Sequence, residues 1–119
     1  MTNPAAEQQG APVKNETTFV QVQVIDDINA MLDLGYSSIQ RSTRERVIRD
    51  EQDRLQHGIQ KYGTGLQVNN GRNATMDAYQ EALDLVNYLK QAVLEKKLPE
   101  WMYRKQLEFV MELATWVQR

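Results

Sequence analysis

Apolar residues recur at helical spacing along most of this chain, and the few departures from that spacing mark its turns. Phe19, Val20, Val22 and Val24 alternate like a strand, but Val24, Ile25, Ile28, Met31 and Leu32 keep helical time. A lone strand would leave its backbone groups without partners, so the pattern predicts a helix over about 19–34. Thr17 or Thr18 can cap it and Gly35 ends it. A second helix is expected from Ser42 or Thr43 to about Lys61. Its apolar face is thin, with Ile48, Leu55, Ile59 and Tyr62, and Val47 and Gly58 beside them. Glu51 lies on that same side, between Val47 and Leu55, where a carboxylate needs a partner. Asp50, Asp53 and His57 face the other way. Val24-Ile25, Asp27, Leu32 and Gly35 recur as Val47-Ile48, Asp50, Leu55 and Gly58 at an offset of 23, which suggests a helical hairpin with similar halves.

Residues 62–72 are a polar, turn-rich loop. Gly63, Gly65 and Gly71 permit positive φ, and Asn69-Asn70-Gly71 is a strong turn signal. A third helix begins near Asn73 to Thr75 and runs to about Lys96, its apolar arc made of Ala78, Tyr79, Ala82, Leu83, Leu85, Val86, Leu89 and Val93. Pro99 suits the first turn of a fourth helix over about 99–118. Leu98, Met102, Phe109, Leu113 and Trp116 give that helix one apolar face, and Trp101, Val110, Ala114 and Val117 widen it beyond what one neighbour covers. The expected fold is all-α, a four-helix bundle-like single domain over 17–119. Residues 1–16, with two of the three prolines and almost nothing to bury, read as a disordered arm.

Composition narrows the function. The chain has 119 residues, no cysteine, one histidine and a net charge of −2. Thiolate metal sites, cysteine nucleophiles and disulfide scaffolds are excluded, and a multi-histidine metal centre cannot form within one subunit. The charge argues against a protein that coats nucleic acid or an anionic membrane. No apolar run approaches a membrane span, so the expectation is a soluble, cytoplasmic protein without nucleic-acid or membrane partners. The mixed charges of the second helix, from Arg44 to Arg54, read as solvated ion pairing.

The candidate chemistry lies on the third helix. Asp77, Glu81 and Asp84 fall at i, i+4 and i+7 and line one stripe. No Lys or Arg shares the stripe, and like charges so placed cost roughly 0.2–0.5 kcal/mol per pair. Either the stripe is a wet face, or a countercharge comes from another element or from a cation. The stripe abuts a glycine-rich loop flanked by Lys61 and Arg72, groups that suit a phosphate. Carboxylates that converge on Mg²⁺, which in turn holds substrate phosphates, would join the two features. Asp77, Glu81 and Asp84, with Glu51 as fourth ligand, are the candidate metal residues. Lys61, Tyr62, Asn70, Arg72 and Tyr88 are the candidate nucleotide contacts, the tyrosines as stacking faces.

Glu81-Ala82-Leu83-Asp84 resembles the second acidic motif, E-x-x-D, of the MazG-like all-α nucleoside triphosphate pyrophosphohydrolases. Lys61-Tyr62-Gly63-Thr64 and Asn70-Gly71-Arg72 are similar to the loop of small phage proteins near that superfamily. The resemblance covers about residues 44–95. It implies Mg²⁺ as cofactor and cleavage of a nucleoside triphosphate between the α- and β-phosphates, giving monophosphate and pyrophosphate in a host cytoplasm. The family's first motif, E-x-x-E, is absent, since Glu51 is followed three residues on by Arg54; Asp50-x-x-Asp53 is the nearest substitute. An incomplete site implies binding without turnover, as in an anti-defence protein that sequesters a cyclic or ADP-ribose-type immune signal. A third reading is a helical adaptor whose last helix, with Trp101 and Trp116, meets a partner protein. That wide apolar face also predicts a homodimer or higher homo-oligomer.

Overall fold

The computed structural model describes residues 4–6, 8–34 and 41–117, and of residues 32–34 the backbone only. The described residues form four helices: α1 (Val20–Leu34), α2 (Arg41–Tyr62), α3 (Ala74–Leu94) and α4 (Glu100–Ala114). No strand occurs among the described residues, so the all-α expectation is met. Gly35, assigned to end α1, lies outside the described residues. Contacts cluster the chain into two units, Ala11–Gly71 and Met1–Gly10 with Arg72–Arg119, where the sequence reading had one domain over 17–119.

In the first unit α1 packs on α2. Neither helix has a fully buried apolar side chain among its described residues, and α2 buries none at all. The buried residues are instead in the loop after α2: Thr64, Gly65, Gln67 and Asn70. Gly65 is required there by space. A Cβ at this position would stand 2.6 Å from Leu55 Cδ1 and 2.7 Å from Phe19 Cγ, well inside van der Waals contact. The loop also closes the start of α1, because Val20 N donates to Leu66 O at 2.7 Å and Leu66 N donates to Gln21 Oε1 at 3.0 Å. The turn signals were read correctly: Gly63, Asn69 and Gly71 have φ of 77°, 54° and 83°.

Ahead of α1, residues 8–19 carry no helix or strand. Their side chains and backbone nonetheless meet the loop in a way the sequence reading did not use. Buried Gln67 donates through Nε2 to Asn15 O and Thr17 O, both at 2.7 Å, and accepts from Asn15 N at 2.9 Å. Asn15 Nδ2 donates to Val68 O at 2.9 Å, and Val13 N to Asn70 O at 2.8 Å. The expected ion pairing on α2 is not present: among the described residues none of its arginines forms a salt bridge. Exposed pairs of this kind gain little over water, so hydration competes successfully.

In the second unit α3 and α4 form an antiparallel hairpin. Ala82, Val86 and Val110 are its buried centre, with Tyr79, Leu83, Tyr103, Leu107 and Leu113 packed around them. Near the turn, Lys90 Nζ lies 5.0 Å from the centroid of the Tyr103 ring. The turn is a Schellman motif: Lys96 N donates to Val93 O at 3.0 Å and Lys97 N to Ala92 O at 2.8 Å. Lys96 takes the left-handed conformation there, with φ of 61°, which stops the helix at Leu94 rather than at the expected Lys96. Pro99 sits at the N-cap of α4, one residue outside the helix. The face of α4 turned to the core is centred on Val110, and not on Phe109 and Trp116, which are exposed.

Candidate functional site

The acidic stripe of α3 begins at the helix's own cap. Asn73 is the N-cap, and its side-chain oxygen accepts from Met76 N at 3.1 Å. Asp77 follows in the first turn, where the helix dipole favours negative charge. Its carboxylate receives a two-pronged arginine. Arg72 Nε donates to Oδ2 at 3.0 Å and Nη2 to Oδ1 at 2.7 Å, while Nη1 donates to Gly10 O at 2.6 Å. Gln9 Nε2 adds a bond to Asp77 Oδ1 at 2.8 Å, and Gln9 Oε1 accepts from Asn73 N. One turn later Gln80 Nε2 donates to Pro4 O at 2.7 Å, and Pro4 is buried. So the first acid of the stripe does have a countercharge within its own unit, from the residue just before the cap.

The other two acids do not. Glu81 and Asp84 are exposed, and among the described residues neither has a hydrogen-bond or ion-pair partner. Tyr88, four residues beyond Asp84 on the same side of α3, is 68% exposed. Leu85 and Leu89 lie beside that stripe. With Trp101, Met102, Lys105 and Gln106 of α4 they line an open groove of about 320 Å³.

The remaining candidates belong to the other unit. Lys61 and Tyr62 are exposed at the end of α2, with Lys61 Nζ 5.2 Å from the Tyr62 ring centroid. Asn70 is buried in the turn, where its carbonyl holds Val13 N. Glu51 is half-buried on α2 and has no hydrogen-bond or ion-pair partner among the described residues; Asp50 and Asp53 are exposed. Arg44, at the start of α2, has Nε and Nη1 buried without a hydrogen-bond partner among the described residues.

The structure therefore joins Arg72 to Asp77, places Glu81, Asp84 and Tyr88 on one exposed stripe, and sets Lys61 against Tyr62. Among the described residues no group of three or more histidine, aspartate and glutamate side chains is placed to hold a metal ion. Two free carboxylates one turn apart still suit Mg²⁺ by donor chemistry. That ion takes hard oxygen ligands and is commonly bound by one or two carboxylates together with substrate phosphates, rather than by a cage made of protein alone. No helix among the described residues is long and apolar enough to cross a membrane. No family model, curated protein or solved structure matches the chain. The polar residues that sequence reasoning missed are Gln9, Asn15 and Gln67. Apart from the local bonds from Thr17 to Asn15 Oδ1 and from Thr64 to Gln67 Oε1, the bonds that make them matter reach 50 or more residues along the chain, which no local pattern encodes.

Proposed function

We propose that this chain is a nucleotide-binding protein that hydrolyses a nucleoside triphosphate to monophosphate and pyrophosphate with Mg²⁺. One observation carries the reading: of three acids on one stripe, Asp77 is neutralised by Arg72, while Glu81 and Asp84 stand exposed without a partner among the described residues. Two adjacent carboxylates left in this way are suited to a divalent cation, and the E-x-x-D spacing is the one seen in the resembling pyrophosphohydrolases. Mg²⁺ bound there would neutralise phosphate charge and polarise the phosphoryl group under attack. Tyr88, exposed one turn along, offers its ring face to a base.

The fate of Arg72 qualifies the phosphate contact expected of it. Its guanidinium already serves Asp77 and Gly10, so a phosphate would have to share or displace those bonds. Sequestration without turnover is the second reading. It is favoured by Arg54, which stands three residues after Glu51 where the first acidic motif would place a second glutamate.

The test is to incubate the chain with a panel of nucleoside triphosphates and cyclic nucleotides, with Mg²⁺ or with chelator, and to follow both product and bound ligand. Turnover abolished by chelator and by Asp84→Asn supports the enzyme. Binding that survives chelator without product supports sequestration. Neither product nor binding across the panel overturns both.

A further inference from the structure

The hairpin of α3 and α4 uses one side of α4 for its own core: Val110 is buried, with Tyr103, Leu107 and Leu113 around it. Three large aromatics point away from that core. Trp101, Phe109 and Trp116 are 63%, 51% and 77% exposed, Trp116 lying in the turn that continues the helix. At 100° per residue they share one stripe with Lys105, Glu108 and Glu112. Only one side of α4 is covered by α3; Trp101 and Lys105 stand where this outer stripe borders the open groove with Leu85 and Leu89, and Phe109 and Trp116 are not among the residues lining that groove.

The order of residues along the outer stripe says what fits it. Reversed about a point between Glu108 and Phe109, the stripe falls on itself: Trp101 meets Trp116, Lys105 meets Glu112, and Phe109 lies beside its own image. Lys105 and Glu112 have no ion-pair partner among the described residues, so each is free for such a contact. A surface on which residue i meets j and j meets i is the requirement of a twofold interface. We propose that the outer stripe of α4 is the contact face of a homodimer, with the α4 helices of two copies packed antiparallel and Trp101 of each against Trp116 of the other.

The area is adequate. At 150–250 Å² per aromatic side chain, these exposures leave roughly 400 Å² of aromatic surface on each copy. Pairing two copies would cover roughly twice that, and the stems of Lys105, Glu108 and Glu112 bring the total toward the roughly 1,200 Å² at the low end of stable interfaces. Antiparallel pairing also sets the two helix dipoles in opposition, which favours this direction over the parallel one.

Sedimentation equilibrium of the full chain, from low micromolar to sub-millimolar concentration, tests the proposal through charge exchange. The wild-type chain dimerises. Glu112→Lys places like charges opposite each other twice per dimer and weakens association by roughly tenfold or more. Lys105→Glu with Glu112→Lys together restores association to near the wild-type value, because the swapped pairs again face each other. Trp116→Ala weakens it as well, and since all these positions are exposed, thermal unfolding confirms that every variant stays folded. A chain monomeric throughout the range overturns the proposal. So does a dimer indifferent to Glu112→Lys and Trp116→Ala, or a double swap no better than the single change.

Discussion

Replacing Arg72 with alanine removes the clamp that ties the start of α3 to the chain at Gly10 and to Asp77. Among the described residues three bonds are lost, at 3.0, 2.7 and 2.6 Å. A charge-assisted hydrogen bond contributes about 1.5–3 kcal/mol when partly shielded from water. The values do not add here, because the bonds share one guanidinium and the two side chains remain 25% and 32% exposed. The expected destabilisation for the whole cluster is therefore about 1.5–3 kcal/mol, the scale of a single strong bond. For a domain of this size that lowers Tm by roughly 5–12 °C. Asp77→Asn keeps much of the shape but loses the charge, and should cost less than the arginine change. In a double-mutant cycle followed by circular dichroism, the coupling between the two positions should be about 1–2 kcal/mol and should shrink as salt is raised. An Arg72→Ala chain as stable as the wild type, or a cycle with no coupling, would refute the reasoning. It would mean that water replaces the clamp at no cost.

Other changes probe separate parts of the account. Gly65→Ala should destabilise by about 1–3 kcal/mol, the usual cost of overpacking, because the added methyl meets Leu55 and Phe19; an unchanged urea midpoint would show that the loop yields freely. Lys96→Gly should stabilise by roughly 0.5–1 kcal/mol by relieving the left-handed conformation at the end of α3, and a lower Tm would contradict this. Glu81→Gln and Asp84→Asn should leave stability within about 0.5 kcal/mol of wild type or raise it, since each removes an unpaired like charge from an exposed stripe. Marked destabilisation of either variant by thermal melt would show that these acids serve the fold.

Much of this architecture was legible in the sequence, for identifiable reasons. The helix α3 announces itself through long apolar periodicity, α2 through a thinner one, and Asn73 marks the start of α3 through its cap chemistry. The turn at Asn69 and Gly71 follows from residue types that tolerate positive φ. The end of α3 did not follow, because Lys96 is a residue type that seldom takes the left-handed conformation. The excess apolar width of α4, with Trp101 and Trp116 turned to a partner, was legible, but not which side meets α3: Phe109 shared the expected face with Leu113, and spacing alone does not single out Val110 as the buried residue. At the site, the stripe of Asp77, Glu81 and Asp84 was visible from spacing. The pairing that separates the first from the other two depends on where Arg72, Gln9 and Gly10 are brought by the fold, which no local pattern encodes.

In the function proposed for this chain, Glu81 and Asp84 hold a divalent cation against a bound nucleotide. Mn²⁺ in place of Mg²⁺ broadens amide resonances near its site, so a titration of the isotope-labelled chain with Mn²⁺ and a nucleoside triphosphate locates the ion directly. The account predicts broadening centred on residues 81–88 of α3, strengthened by nucleotide and abolished in the Glu81→Gln, Asp84→Asn double variant. Broadening centred elsewhere, or the same broadening in the double variant, would contradict it.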